Sequence, residues 1–260
     1  MSKRPEPPAP EPANPVDAGP KSGKEGFVIT RERLLSGDHL AAMRARATPD
    51  APIRSDAELD ASLDETLGCR APGTDVWVFG YGSLMWNPAF RFAERRLGTV
   101  RGWHRRFCLW LQRGRGSPDC PGLMLALDRG GVCRGIAFRI EAEAVRDELL
   151  LVWRREMLSG AYLARWVDVA TDEGPVRAVT FVANQAHARY SGKLSEAATA
   201  ERICAAAGEL GSCLDYFERT VRALRTLQVD DRALRRIEDA ISVAARVERP
   251  DAPGPRSSHL

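Results

Sequence analysis

An apolar strand that ends in two glycines bracketing a tyrosine constrains this chain more than any other stretch. Residues 76 to 90 read VWVFGYGSLMWNPAF: four apolar residues run into Gly80-Tyr81-Gly82-Ser83 and leave through Trp86-Asn87-Pro88. A short apolar run bounded by turn residues reads as a buried strand. Gly80 and Gly82 are free to adopt positive φ, so that successive backbone N–H groups can converge into a concavity sized for a carboxylate or a single oxyanion. Ser83 adds a donor that can rotate toward a ligand. The alternative is a plain glycine-bearing strand exit, with Tyr81 and Trp86 as packing. A nucleotide loop is disfavoured. The segment is neither Gly-x-Gly-x-x-Gly nor a loop closing on Gly-Lys-Ser/Thr, and Pro88 interrupts any helix that begins there.

The rest of the chain sets that strand among hairpins and helices. Residues 98 to 111 are rich in β-branched and aromatic side chains. The stretch 123 to 140 carries a turn signal at Asp128-Arg129-Gly130-Gly131, and 165 to 183 carries another at Asp172-Glu173-Gly174-Pro175. Helical patterning marks 30–47, 55–67, 141–158, 194–207, 212–227 and 231–245. The second of these opens on Ser55 with Glu58 three residues on, a capping-box spacing. The first two are expected to pack as an N-terminal arm. Without regular β-α-β alternation, this order predicts an α+β fold on a twisted or barrel-like antiparallel sheet. Residues 1–25 and 248–260, rich in proline and charge, are expected to be disordered tails around a single domain spanning 26–247.

Charge and cysteine usage exclude several classes. With 38 basic and 35 acidic residues interspersed, no nucleic-acid footprint stands out. No apolar run approaches the roughly 20 residues of a membrane span, and the N-terminus lacks the apolar core of a signal peptide, so a cytoplasmic protein is expected. Six cysteines without a Cys-x-x-Cys pair signal neither disulfides nor a zinc site.

Helix 141–158 carries the second chemical clue. Val145, Leu149 and Val152 recur at helical spacing, and the next step lands on Glu156, so a stripe that faces the core ends in a carboxylate. Two readings stand: a solvated last turn among Arg154, Arg155 and Glu148, or a recessed acid whose raised pKa lets it take and return a proton near neutrality. The second, joined to an oxyanion cradle, points to a reaction whose nucleophile comes from the substrate itself, where intramolecular attack gains a large effective molarity.

VWVFGYGSLMWNPAF, RGSPDCPGLMLAL, CRGIAFRI, WRREMLSGAY and CLDYFERTVRALRTL, in that order, resemble the ChaC-like glutathione-specific γ-glutamylcyclotransferases in their bacterial form, over about residues 28 to 240. The resemblance implies a γ-glutamylcyclotransferase-like fold, a small mixed or antiparallel β-barrel with surrounding helices, acting on glutathione without a cofactor. It implies that Tyr81, Gly82, Ser83 and Leu84 hold the γ-glutamyl moiety and that Glu156 is the catalytic acid/base. Residues 207–220 depart from the family pattern: Leu210 stands for a serine, Asp215 for a glutamate and Phe217 for a leucine, while Tyr216 keeps its place as a substrate contact or a buried packing residue. Arg113 and Arg115 either meet the glycyl carboxylate or belong to a solvated loop, and Tyr162 either orients Glu156 or packs. Cyclisation of another γ-glutamyl amine, and a non-catalytic γ-glutamyl-binding module, are the alternatives.

Overall fold

β1 (Val76–Gly80) is buried along nearly its whole length because partners cover both of its edges. It pairs antiparallel with β3 (Gly122–Ile140) and parallel with β5 (Val176–Ala183). The computed structural model describes residues 29–48 and 51–247, and the two expected tails lie outside the described residues. Within this span a barrel closes in the order β1-β3-β2-β4-β5, where β2 is Glu94–Leu111 and β4 is Tyr162–Thr171. The sheet is therefore mixed, and closure removes the exposed edges an open antiparallel sheet would carry.

Two expectations about local structure need correction. Asp128-Arg129-Gly130-Gly131 is not a hairpin turn: β3 runs straight through it, paired with β2 on either side. Arg101 pairs with Val132 and Trp103 with Arg129, so Gly102 alone faces Gly130 and Gly131. All three glycines have positive φ, at 81°, 93° and 73°, and together they bend a long two-stranded ribbon by a bulge. The expected helix over 30–47 is broken into α1 (Arg31–Leu35) and α2 (Asp38–Arg44), because Gly37 adopts the left-handed conformation at φ 79° between them. The turn over 172–175 does join an antiparallel pair, β4 and β5.

The helices follow their sequence signals. Ser55 and Glu58 form the expected reciprocal cap on α3 (Asp56–Leu67). α4 (Val145–Glu156) buries Val145, Leu149, Val152 and Trp153, with the Trp153 ring edge-on to Phe181 of β5 at 5.4 Å. Ser195 and Ser212 cap α5 (Glu196–Ala205) and α6 (Cys213–Thr226). Asp231 accepts from the backbone N–H groups of Ala233 and Leu234 at the start of α7 (Arg232–Val247). The same carboxylate meets Arg105 Nη1 at 2.7 Å, while Arg105 Nε donates to the Tyr81 carbonyl at 2.6 Å. Arg105 is only 2 % exposed, so a buried guanidinium ties the cap of the last helix to the strand exit. Among the described residues no helix is long and apolar enough to cross a membrane.

The N-terminal arm is anchored as a unit. Arg31 forms a two-pronged ion pair with the buried Glu148 of α4, whose carboxylate also accepts from the Arg91 N–H at 2.8 Å. Asn87 Nδ2 donates to the Ile29 carbonyl at 3.0 Å. Truncating Glu148 to alanine leaves Arg31 and the Arg91 N–H without their acceptor and is expected to cost about 1–3 kcal/mol of stability, read from urea unfolding. An unchanged midpoint refutes this role for the pair.

Candidate active site

The strand exit turns into a single turn of 3-10 helix, Ser83–Met85, and its geometry corrects the glycine argument. Gly82 sits at φ −131°, and Gly80 is not among the positive-φ residues. Space explains them better: a side chain at Gly80 would clash, and one at Gly82 would fit tightly. A Cβ on Gly80 would lie 2.9 Å from the Leu84 Cβ and 3.2 Å from the Phe138 ring, and one on Gly82 would lie 3.1 Å from the Tyr216 hydroxyl. The anion-binding potential survives on other grounds. The first bonds of the turn are donated by Met85 to Gly82 and by Trp86 and Asn87 to Ser83. The N–H groups of Gly82, Ser83 and Leu84 therefore form no hydrogen bond among the described residues. Tyr81, Gly82, Ser83 and Leu84 line a cavity of about 800 Å³. That volume is in the range that encloses a small ligand.

Glu156 lines the same cavity. It ends the buried stripe of α4, with 15 % of its side chain open to the cavity, so the solvated-turn reading does not hold. Burial raises the pKa of its carboxyl, and the charge of Arg155 opposes part of that rise. Arg155 itself, 6 % exposed at the side chain, is the centre of the local network. Its Nε lies 3.0 Å from Glu156 Oε1, its Nη2 donates to Ser83 Oγ at 2.6 Å, and its Nη1 donates to the Asn87 carbonyl at 2.5 Å. The acid and the serine of the turn are thus one guanidinium apart.

Three tyrosines close the walls. Tyr81 donates its hydroxyl to the Phe181 carbonyl, and Tyr162 donates to the Leu125 carbonyl at 2.7 Å, so Tyr162 does not hold Glu156 by a hydrogen bond. Tyr216 lies edge-on to Trp86 and Phe107, and its hydroxyl, over Gly82, makes no hydrogen bond among the described residues. Burial, followed by the Glu156 carboxylate, pushes its phenol pKa up, leaving it a neutral donor.

The family model described as ChaC-like protein matches residues 76–244. The chain belongs to the ChaC-like family. Among curated relatives, the Escherichia coli glutathione-specific γ-glutamylcyclotransferase is 41% identical over 208 residues, covering 80% of this chain and 89% of that protein. The human glutathione-specific γ-glutamylcyclotransferase 1 is 34% identical over 173 residues, covering 64% and 78% respectively. The solved structure of a glutathione-specific γ-glutamyl cyclotransferase from yeast superposes with a TM-score of 0.60 at 19% identity, over 65% of this chain and 96% of that one. This last likeness establishes the γ-glutamylcyclotransferase fold.

All six site residues named from the sequence, Tyr81, Gly82, Ser83, Leu84, Glu156 and Tyr216, line the same cavity in this ChaC-like chain. Arg113, Arg115 and Tyr162 line it too. Arg115 is no solvated loop residue: its Nη1 meets Asp215 Oδ2 at 3.0 Å and the Ser212 carbonyl at 2.8 Å, and its guanidinium covers the Tyr216 ring. The departure at Asp215 is thereby accounted for, since a shorter acid than the family's glutamate bridges Arg115 and Arg219. Phe217 packs on Phe107.

Sequence reasoning missed Arg155, which looked like one of several charges on a last turn, and His39. Helix α2 brings His39 into the cavity wall, 6 % exposed, with its pKa lowered to about 4 by burial and by the charges of Arg155 and Arg33. Its imidazole is neutral at physiological pH. No local pattern signals it, because the arm reaches the cavity only by folding across it.

Proposed function

We propose that this protein is a glutathione-specific γ-glutamylcyclotransferase, releasing 5-oxoproline and cysteinylglycine in a cytoplasmic setting. One observation carries the reading: a desolvated carboxylate and a turn whose three N–H groups form no hydrogen bond among the described residues line a single cavity, joined through Arg155. The E. coli and human relatives bear the name of this activity.

The chemistry follows from those groups. The γ-glutamyl end lies against Tyr81 to Leu84, where backbone N–H groups and the Ser83 hydroxyl donate to its charged α-carboxylate or to the oxyanion formed later. Glu156 takes a proton from the substrate's α-ammonium. The freed amine attacks the γ-carbonyl carbon, forming the ring C–N bond and a tetrahedral oxyanion. As the oxyanion collapses, the amide C–N bond breaks, Glu156 returns its proton to the departing cysteine nitrogen, and the ring nitrogen gives up its second proton to that amine, which leaves as an ammonium. The elevated carboxyl pKa suits a group that must hold the proton between these steps. Tyr216, with its hydroxyl over Gly82, is placed to donate to the bound substrate.

The cavity's charge fits an anionic peptide. Eight arginines line it against two glutamates, and glutathione carries two carboxylates and one ammonium. Incubating the purified protein with millimolar glutathione and assaying 5-oxoproline by chromatography tests the reading. Product is expected, at a higher kcat/KM than from γ-glutamyl amino acids. Faster cyclisation of the latter selects the broader γ-glutamyl reading, and tight glutathione binding without product selects a binding module.

A further inference from the structure

Six of the eight cavity arginines already have partners, and the remaining two line the same cavity. Arg46 pairs with Glu209, Arg115 and Arg219 with Asp215, and Arg155 with Glu156. Arg189 donates to the Trp110 carbonyl at 2.6 Å and to Ser159 Oγ at 2.9 Å, and Arg33 is also engaged. The side chains of Arg113 and Arg202 form no hydrogen bond or ion pair among the described residues, and both are half-buried in the cavity wall. Half-buried guanidiniums without acceptors are costly unless something else supplies the acceptor.

Their position in the fold says what that acceptor is. Arg113 directly precedes Gly114, whose carbonyl accepts from the Leu210 N–H at 2.7 Å and lies 2.4 Å from where a Cβ on Gly208 would stand. Arg202 lies in the last turn of α5, which runs straight into that same strand, β6 (Ala207–Gly208), paired with β7 (Gly211–Ser212). Arg113 thus opens the 113–116 loop, and Arg202 lies on the helix leading into the 207–212 hairpin that this loop contacts. Between this rim and the glycine turn stand Tyr216, whose hydroxyl is over Gly82, and Arg115, stacked on the Tyr216 ring at 5.6 Å. The rim is thus separated from the γ-glutamyl end by a tyrosine and a stacked guanidinium, a gap that an extended three-residue substrate, about 10 Å long, is suited to bridge.

Resting on the function proposed above, we propose that Arg113 and Arg202 form a clamp for the C-terminal carboxylate of the substrate, so that the enzyme selects γ-glutamyl peptides ending in a free carboxylate. The guanidinium fork matches a carboxylate in two parallel hydrogen bonds, and partial burial strengthens them relative to water. Glu209, the acid at this rim, does not oppose the clamp because Arg46 from α2 and its following turn neutralises it. Leu210, placed where the family pattern has a serine, supplies apolar wall and leaves the two arginines as the polar contacts for the end group.

The test compares glutathione with glutathione amide, in which the glycine carboxylate is a carboxamide, on the full-length chain and on Arg113→Gln, Arg202→Gln and the double variant. For the wild type, the amide is expected to show a KM about 10²-fold above that of glutathione. Each single substitution is expected to raise KM for glutathione about tenfold, with little further loss on the amide, and the double variant to handle both substrates alike. Thermal melting confirms that the variants fold. Equal losses on both substrates, or no loss on either, overturn the clamp. If the wild type makes 5-oxoproline but does not distinguish acid from amide, only this inference falls; if it makes none from glutathione, the proposed function falls with it.

Discussion

Replacing Glu156 by glutamine is expected to lower kcat by about 10²–10⁴-fold while leaving KM for glutathione within a few-fold of wild type. Glutamine keeps the shape of the side chain and can still accept from Arg155 Nε, which lies 3.0 Å from Oε1, so the cavity is preserved. What is lost is a group that binds a proton in one step and releases it in the next. The wild-type kcat/KM is accordingly expected to fall on the acid side with an apparent pKa above that of an ordinary glutamate, because burial disfavours the carboxylate. The same shift has a stability consequence of defined sign. The native state holds the Glu156 proton more tightly than the unfolded chain, so the stability from this group is complete below the ordinary glutamate pKa and is lost as pH rises through the raised one. Glu156→Gln removes that slope and is expected to melt higher than wild type at neutral pH. Turnover within tenfold of wild type in this variant removes Glu156 from the mechanism.

Arg155→Met is expected to lower kcat/KM about 10²-fold by a different route. The guanidinium makes hydrogen bonds to Ser83 Oγ and the Asn87 carbonyl and an ion pair to Glu156, so its loss loosens the turn and leaves the carboxylate without its counter-charge. Hydrogen bonds to charged groups contribute about 1.5–3 kcal/mol each, and losing the alignment of the turn's donors acts on the transition state. Arg155 lowers the Glu156 pKa, so removing it raises that pKa, and the acid limb of the pH profile moves to higher pH. Lysine does not rescue, since a single ammonium cannot span three acceptors held in a fork. His39 offers an independent reading of the same geometry. Arg155 is one of the charges holding its pKa at about 4, so in the methionine variant the imidazole titrates nearer its ordinary value, which NMR follows directly. An unmoved acid limb together with an unmoved His39 refutes the arrangement.

Much of this was legible in the sequence because it depends on local or periodic constraints. The apolar run at 76–80, the capping box at Ser55, the turn at 172–175 and the stripe Val145, Leu149, Val152, Glu156 each need only a few neighbouring residues to act. The misread segments lacked that property. Gly130-Gly131 has the composition of a turn, and only its partner Gly102, 28 positions earlier, makes it a bulge within a continuous strand. Gly80 and Gly82 do not take the positive φ that their residue type allows; the space beside them is limited by Leu84, Phe138 and the distant Tyr216.

The amino-acid sequence alone singled out the residues proposed to carry the chemistry, the Tyr81 to Leu84 turn, Glu156 and Tyr216, which line one cavity, and the class of helices and hairpins that present them. Only the tertiary structure decided which charges act together, because that depends on burial and on contacts between segments far apart in the chain. Arg155 becomes a link between acid and turn, Arg115 is committed to Asp215, and Arg113 and Arg202 have no acceptor among the described residues. A charge's effect is set by its distance and by the water around it, and neither is written in residue order.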